Sequence, residues 1–317
     1  MTKTFYDTKH GGRIYTDEEG KKAVDYSYVL TTTPERIEER NSLYKTIKSL
    51  KNQTVAPKKI LIAIPNHYLR WGIDFDVPKW LTKIPDVNIV RCNDYGPATK
   101  WMCASYADTE FVIVCDDDRE FKHKAAEKLI NSLDENESTS FYGMFWWYDW
   151  NDKGKGVDET FLICQAADSW IVPTKKLNNF PTFWYRAFNF YEQCFYIDDV
   201  VVSAYMKHAN IDYTCINYDE EDSGAAKDLS KSFSEYSLLN MKDINSKHLR
   251  MEQQTHVRDK MLEMIKGETN LKSFPTNMTI KLTENIIRGD GKQHNPIFID
   301  DLSLIHISEP TRLGMIS

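Results

Sequence analysis

Three consecutive carboxylates, Asp116, Asp117 and Asp118, follow the apolar run FVIVC at positions 111–115. Such a run is typical of a buried strand, so the three side chains are expected at its carboxyl end, where open α/β sheets bind ligands. Adjacent carboxylates repel one another unless a cation or hydrogen-bond donors neutralise them. Mg²⁺ or Mn²⁺ takes one or two carboxylates and adds diphosphate oxygens and water. The triplet therefore predicts a nucleotide-diphosphate site; the alternative is a solvated acidic turn in which Asp116 caps the next helix.

A second acidic pair, Asp198 and Asp199, opens the segment DDVVVSAYMKHA, which is typical of a short amphipathic helix. Carboxylates suit a helix N-terminus because the helix dipole is positive there. Two neighbouring carboxylates divide roles, since repulsion raises the pKa of one while helix N–H groups keep the other ionised. The pair is thus a candidate general base. Plain helix capping by Asp198 is the other interpretation.

Two loops offer further polar contacts for a nucleotide. The first presents three hydroxyls and a cation, those of Thr31, Thr32, Thr33 and Arg36. Its alternative interpretation is a helix N-cap, with Pro34 in the first turn and an exposed arginine.

The second loop, NDYGPATKW at 93–101, contains Asp94, Gly96 and Lys100. Asp94 is a candidate acceptor from base or ribose, Gly96 permits close backbone approach, and Lys100 is a candidate phosphate contact. A solvated helix face is the alternative for Lys100, and Trp101 is expected in the core.

Short strand patterns alternate with helix patterns, which predicts an α/β fold with a parallel sheet covered by helices on both faces. Strands are expected at 24–32, 58–65, 88–92 and 110–115, and a hairpin at 141–172. Helices are expected at 34–53, 96–107, 123–136, 197–209 and about 235–266. The segments 178–193 (aromatic-rich) and 217–231 (polar) are predicted to be loops, and the rest of the tail is weakly patterned.

Composition excludes several classes of protein. The 317 residues carry a net charge of -7 and no basic runs, which disfavours nucleic acid as a partner. No apolar stretch approaches the roughly 18 residues of a membrane span, and the polar first 25 residues do not match a secretory signal, so we expect a cytoplasmic protein. The six cysteines lack metal-site spacing and are expected to be reduced and buried rather than in disulfides or a zinc site.

Five segments in order resemble the GT-A-fold, nucleotide-sugar-dependent glycosyltransferases with a DxD motif, over about residues 25–216. They are TTTPER (31–36), SLKNQTVAPKKILIAIP (49–65), NDYGPATKW (93–101), VCDDDREF (114–121) and CFYIDDVVVSAYMKHANI (194–211). The resemblance implies a single Rossmann-like domain with a mixed, mostly parallel sheet flanked by helices. Within it we expect an extension at 1–24, a nucleotide-binding half at 25–118, an acceptor-binding half at 119–235, and a C-terminal helix and tail at 236–301.

The resemblance also implies roles for named residues. Asp116 and Asp118 would hold Mn²⁺ or Mg²⁺, Asp116, Asp117 and Asp168 would contact the donor, and Asp199 would be the base, with Asp198 contacting sugar hydroxyls. Aromatic side chains are candidates for stacking on sugar rings, although core positions are the commoner use: Trp146, Trp147, Tyr148, Trp150, Trp184 and Tyr185. His208 and His256 are either further metal ligands or ordinary solvated or core histidines.

The last fifteen residues, SLIHISEPTRLGMIS (303–317), resemble the translated read-through of a sequencing adapter, so the tail at 302–317, which also includes Leu302, is expected to be non-native; an ordinary polar tail is the alternative.

The expected function is metal-dependent transfer of a sugar, most simply from a UDP-sugar, to a glycan, a lipid-linked acceptor or a small acceptor. Peripheral contact with a membrane is compatible with this function. The alternatives are a nucleotidyltransferase that uses a magnesium nucleotide, and a non-catalytic module that binds nucleotide or glycan.

Overall fold

The computed structural model describes residues 3–6, 13–16, 22–38, 42–131, 133, 140–144, 169–216, 225–229, 246–267, 283–287 and 297–298. The strands are β1 (Lys3–Tyr6), β2 (Arg13–Thr16), β3 (Lys22–Val24), β4 (Tyr26–Thr31), β5 (Lys59–Pro65), β6 (His67–Tyr68), β7 (Ile73–Asp74), β8 (Val87–Cys92), β9 (Phe111–Val114), β10 (Arg119–Phe121), β11 (Ser140–Met144), β12 (Trp170–Pro173), β13 (Asp212–Ile216), β14 (Ala226–Asp228), β15 (Thr283–Ile287) and β16 (Ile297–Phe298). The α-helices are α1 (Pro34–Glu38), α2 (Ser42–Lys51), α3 (Thr99–Ala104), α4 (Ala125–Asn131), α5 (Phe180–Phe190), α6 (Asp198–His208) and α7 (Ser246–Gly267). Short 3₁₀ helices cover Leu81–Lys83, Thr174–Leu177 and Glu192–Tyr196.

Nine strands form a mixed sheet in the order β13-β11-β12-β9-β4-β5-β8-β15-β16. The central strands β9, β4, β5 and β8 are parallel, whereas β12 and β15 flank them in the antiparallel sense. The chain runs from β4 outward to β5 and β8, then returns to the other side of β4 as β9. The strand order therefore reverses between β4 and β9, and open α/β sheets bind ligands outside the carboxyl ends of strands at such a point.

Helices cover both faces of this sheet, because successive strand residues point to opposite sides. On β4, Val29 packs into a core with α3, α5, α6 and α7, whereas Tyr28 and Leu30 pack into a second core with α1, α2 and α4. Strand β9 divides in the same way. The predicted α/β class and the mixed, helix-flanked sheet are confirmed.

Most predicted elements are present with trimmed ends. The four strands of the first half correspond to β4, β5, β8 and β9, and the predicted hairpin appears as antiparallel pairing of β11 with β12. Both α1 and α2 lie within the helix predicted at 34–53, and Pro34 begins α1 as expected. Strand β15 pairs antiparallel with β8, in a tail that the sequence pattern left unassigned.

The prediction of an aromatic loop at 178–193 is wrong, since α5 occupies most of it. Its buried side chains, Phe180, Phe183, Trp184 and Ala187, recur at helical spacing, and Pro181 lies in the first turn, where a helix tolerates proline. The exposed aromatic Phe190 at the end of α5 hides this periodicity in the sequence.

Two further predictions concern the second half of the chain. The segment 217–231 is not all loop, because β14 pairs antiparallel with β10 directly after the acidic triplet. The helix predicted at about 235–266 is observed as α7 over Ser246–Gly267, and the first part of the prediction, 235–245, lies outside the described residues.

The cysteines that are described in full, Cys92, Cys103, Cys115 and Cys194, are buried thiols, as predicted. Among the described helices, none is long and apolar enough to cross a membrane. The hairpin turn at 151–156 and the tail at 302–317 lie outside the described residues.

Glycine is required at position 96 for two reasons. Gly96 has φ +61°, a left-handed conformation that side chains disfavour. A Cβ atom there would also lie 2.1 Å from the carbonyl oxygen of Phe195, in the 3₁₀ helix that precedes α6. Gly96 therefore lets the loop after β8 pack directly against the segment that leads into Asp198.

We predict that Gly96→Ala destabilises the protein by about 2 kcal/mol more than Gly72→Ala, measured by chemical unfolding. Gly72 is a matched control, because it has φ +62° but no atom within 4 Å of an added Cβ. Equal losses in the two variants would contradict the close contact with Phe195.

Candidate active site

The carboxyl ends of β4 and β9 bring the first threonine loop onto the acidic triplet. Thr32 Oγ1 donates to Asp117 Oδ2 at 2.5 Å. This contact agrees with the parallel pairing of Val29 with Val114, because Thr32 and Asp117 each follow their paired residue by three positions. Arg36, on α1, donates to Asp117 Oδ1, and its other terminal nitrogen lies 2.9 Å from Asp118 Oδ2. The arginine is only 20% exposed, which excludes the interpretation of an exposed Arg36.

Lys100 joins the two predicted acidic clusters. Its Nζ lies 2.6 Å from Asp116 Oδ1 and 3.0 Å from Asp198 Oδ2. The lysine side chain is 5% exposed, so the solvated-helix interpretation is wrong. Burial alone would lower the pKa of Lys100, but the surrounding carboxylates, Asp116 and Asp198 first, hold that pKa well above its usual value. The ammonium stays charged and fixes both carboxylates.

Asp198 is a buried acceptor of two donors rather than a helix cap. Its Oδ2 receives Lys100 and also the indole N–H of Trp101 at 3.2 Å. Asp198 is the first residue of α6, so the N-cap position falls on Ile197 rather than on Asp198. Asp199, the next residue, is half-buried and lies close enough to raise the pKa of Lys100.

The remaining predicted loop residues have structural partners. Both carboxylate oxygens of Asp94 accept backbone amides, from Leu69 at 2.7 Å and from Gly96 at 2.8 Å, and burial raises the pKa of Asp94. Thr31 Oγ1 donates to the carbonyl of Ala63 on β5 at 2.9 Å. The carbonyl of Thr33 accepts the amide of Ile37, the first hydrogen bond of α1.

The site carries more negative than positive charge. The triplet and the Asp198–Asp199 pair supply five carboxylates. Three cations lie near them: Arg36, Lys100 and Arg119, whose Nε is 3.9 Å from Asp118 Oδ1. Burial, with Asp117 and Asp116 adding to it, raises the pKa of Asp118 to about 6 in spite of Arg36. Lys100, by contrast, holds the pKa of Asp116 below its usual value against the effect of burial.

Several sequence candidates lie elsewhere. His208 packs against Phe183, and His256 against Tyr191, so neither contacts the triplet. Trp184 is buried between Tyr95, Tyr185 and Phe188, which makes it a core residue. Asp168 and the aromatics at 146–150 lie outside the described residues. In the described part of the chain, no three His, Cys, Asp or Glu side chains are grouped as ligands for a metal ion.

The sequence did not indicate two contacts of the site. Thr46, on α2, donates to the backbone carbonyl of Asp117 at 2.8 Å. Trp101 was expected only as core, yet its indole nitrogen reaches Asp198. The sequence did contain a signal for this contact, because Trp101 directly follows Lys100. Consecutive residues in the first turn of a short helix lie at the same end of that helix.

Comparison with known proteins gives this arrangement a family. The profile of glycosyl transferase family 2 matches residues 35–202, more than half of the 317-residue chain. The chain belongs to glycosyl transferase family 2. The matched segment contains Arg36, Lys100, the acidic triplet and the Asp198–Asp199 pair. None of the curated proteins matches the chain.

Solved glycosyltransferase structures align with this chain at low identity. GlyE from Streptococcus pneumoniae TIGR4 aligns at 12% identity over 61% of this chain, with a TM-score of 0.38. The chain spans 45% of the length of that GlyE chain. S. aureus TarS 1-349 aligns at 13% identity over 81% of this chain and 75% of its own, with a TM-score of 0.39. The complex of TarS 1-349 with UDP-GlcNAc aligns at 15% identity over 78% and 74% of the two chains, with a TM-score of 0.36.

The raised pKa of Asp118 predicts that Asp118→Asn stabilises the metal-free protein at neutral pH. An acid whose pKa is raised on folding destabilises the folded protein as it ionises. The loss begins as the pH rises above the pKa in the unfolded chain, near 4, and is complete above the pKa in the folded protein, about 6. The gain should be negligible near pH 4 and reach up to about 3 kcal/mol above pH 6.5. Chemical unfolding of both proteins at several pH values measures it.

Asp86→Asn is the control, because Asp86 is an exposed carboxylate paired with Lys51 at 3.3 Å. Its stability should stay within about 0.5 kcal/mol of wild type. A parallel pH dependence in wild type and Asp118→Asn would contradict the excess charge at Asp118.

Proposed function

We propose that this glycosyltransferase moves a sugar from a nucleotide-diphosphate sugar, with UDP-sugars the first candidates, to a hydroxyl group of a glycan, lipid or small acceptor. One observation carries the proposal: Lys100 lies within 3.0 Å of both Asp116 and Asp198. These acids are far apart in sequence, and they lie in the segments 114–121 and 194–211, which resemble the donor and acceptor motifs of the family. A single ammonium that touches both supports one site for both substrates.

The donor would enter at the switch point between β4 and β9. Thr32 and Arg36 line this point, and Arg36 can turn one of its donors from Asp118 to a phosphate oxygen, because guanidinium groups bind carboxylates and phosphates alike. Asp94 already accepts two backbone amides, so its part in donor binding would be to hold the loop beside the nucleoside.

A divalent cation fits the donor set of this site. The local excess of two negative charges and the raised pKa of Asp118 indicate a carboxylate that its neighbours do not fully neutralise. The described side chains are too few to enclose an ion by themselves, which suits Mn²⁺ or Mg²⁺, since such ions bind through one or two carboxylates plus substrate phosphates. Asp118 and Asp116 would hold it, and when bound it would stabilise the charge on the departing diphosphate.

Asp199 is the candidate for the base. Lys100 and Trp101 hold Asp198 on one oxygen, so its role would be to position other groups rather than to take the proton. Asp199 is half-buried at the N-terminus of α6, where a substrate can reach it.

In the proposed transfer, each bond formed is matched by a bond broken. The acceptor oxygen forms a bond to the anomeric carbon, the bond from that carbon to the diphosphate oxygen breaks, and the nucleoside diphosphate leaves with the electron pair. The hydroxyl proton passes to Asp199. A positioned base of this kind contributes about 10²- to 10⁴-fold to the rate.

The proposal predicts that UDP-sugars with Mn²⁺ stabilise the protein. A ligand at 100 times its Kd adds about 2.7 kcal/mol, which raises Tm by several degrees. A thermal-shift panel of nucleotide sugars, UDP-GlcNAc included, with and without Mn²⁺, identifies the donor, and UDP release with that donor measures turnover. Both signals should be lost in Asp118→Ala and in EDTA.

Asp259→Ala, which removes a carboxylate 58% exposed on α7, is the control and should behave as wild type. Full turnover by Asp118→Ala, or in EDTA, would contradict the metal-dependent mechanism. Release of pyrophosphate from a nucleoside triphosphate would instead indicate nucleotidyl transfer, and saturable UDP binding without hydrolysis or transfer would indicate a binding module.

A further inference from the structure

Tyr196 is an exposed aromatic side chain in an otherwise buried segment. It is 43% exposed, whereas Cys194, Phe195, Ile197 and Asp198 are each 9% exposed or less. The backbone of the segment is held by hydrogen bonds, since the amide of Cys194 donates to the carbonyl of Tyr191 and the amide of Ile197 donates to the carbonyl of Cys194. The ring of Tyr196 packs edge to face with the ring of Phe195, with centroids 5.2 Å apart, and it remains substantially exposed to solvent.

The position of Tyr196 places it between the donor loop and the candidate base. On one side, the carbonyl of Phe195 packs against Gly96, in the loop whose Asp94 borders the donor. On the other side, Asp199 follows three residues later, and three residues of chain span at most about 11 Å. An acceptor whose hydroxyl reaches Asp199 thus extends past Tyr196 within one or two sugar rings.

We propose that the ring of Tyr196 is the platform on which a sugar ring of the acceptor stacks, so that the acceptor is a glycan or glycoside. The inference rests on the proposed function, since it takes Asp199 as the base. A pyranose has an apolar C–H face and a rim of hydroxyl groups, and an exposed aromatic face beside a carboxylate matches both. Stacking on Tyr196 would hold the ring while Asp199 receives the proton of one hydroxyl.

The test separates donor chemistry from acceptor binding. Both assays use the donor identified by thermal shift. UDP release without acceptor measures donor hydrolysis. UDP release with a panel of methyl glycosides and their β- and α-linked disaccharides then measures transfer. Methyl glycosides are preferred to nitrophenyl glycosides, because a nitrophenyl ring could itself stack on tyrosine. The variants are Tyr196→Ala, Tyr196→Phe and Phe190→Ala.

We expect Tyr196→Ala to raise the acceptor KM about tenfold, the usual size of one lost aromatic contact, while donor hydrolysis stays within about twofold of wild type. Tyr196→Phe should retain acceptor binding, because the ring face rather than the hydroxyl makes the contact. Phe190→Ala is the matched control, since Phe190 is also 43% exposed but lies at the end of α5. It should leave both activities unchanged.

Three results would overturn the platform: an unchanged acceptor KM in Tyr196→Ala, equal loss of hydrolysis and transfer in that variant, or hydrolysis by wild type that no glycoside in the panel stimulates. If wild type hydrolyses no nucleotide sugar at all, the proposed function itself fails, and the two failures are thereby distinguished.

Discussion

The ammonium of Lys100 connects the two halves of the site. It contacts Asp116 at the end of β9 and Asp198 at the start of α6, and it is 5% exposed. Burying an ammonium costs several kcal/mol unless carboxylates and hydrogen bonds compensate for lost water, and removing one member of such a group leaves an unpaired buried charge. The mutual positions of β9, α3 and α6 at this edge are therefore set by one polar contact rather than by apolar packing alone.

The charges at the site are not balanced in the protein alone. Arg36 and Lys100 pair with four of the acidic side chains, and burial together with the neighbouring carboxylates raises the pKa of Asp118. A divalent cation would complete the neutralisation, and it would bring a diphosphate within reach of Arg36. The net charge of -7 thus includes a local excess at this edge.

Residue patterns indicated the parallel centre of the sheet and the two acidic clusters, because buried strands and the acids that follow them are local features. They did not indicate α5, since aromatic residues on both faces of that helix obscured its period. Nor did they show that Lys100 would pair with Asp116 and Asp198. Contacts across 16 and 98 positions depend on how β9 and α6 are placed by the whole sheet, which no local pattern contains.

The steady-state rate of UDP release by Lys100→Met and Lys100→Met/Asp198→Asn tests this account most directly. Lys59→Met is the control, because Lys59 pairs with Asp108 at 2.5 Å at the opposite, amino end of β5. The account predicts a loss of about 100-fold in kcat for Lys100→Met, no loss for Lys59→Met, and no further loss when Asp198→Asn is added, since Asp198 acts through Lys100. Folded Lys100→Met protein with wild-type turnover, or losses that multiply in the double variant, would contradict it.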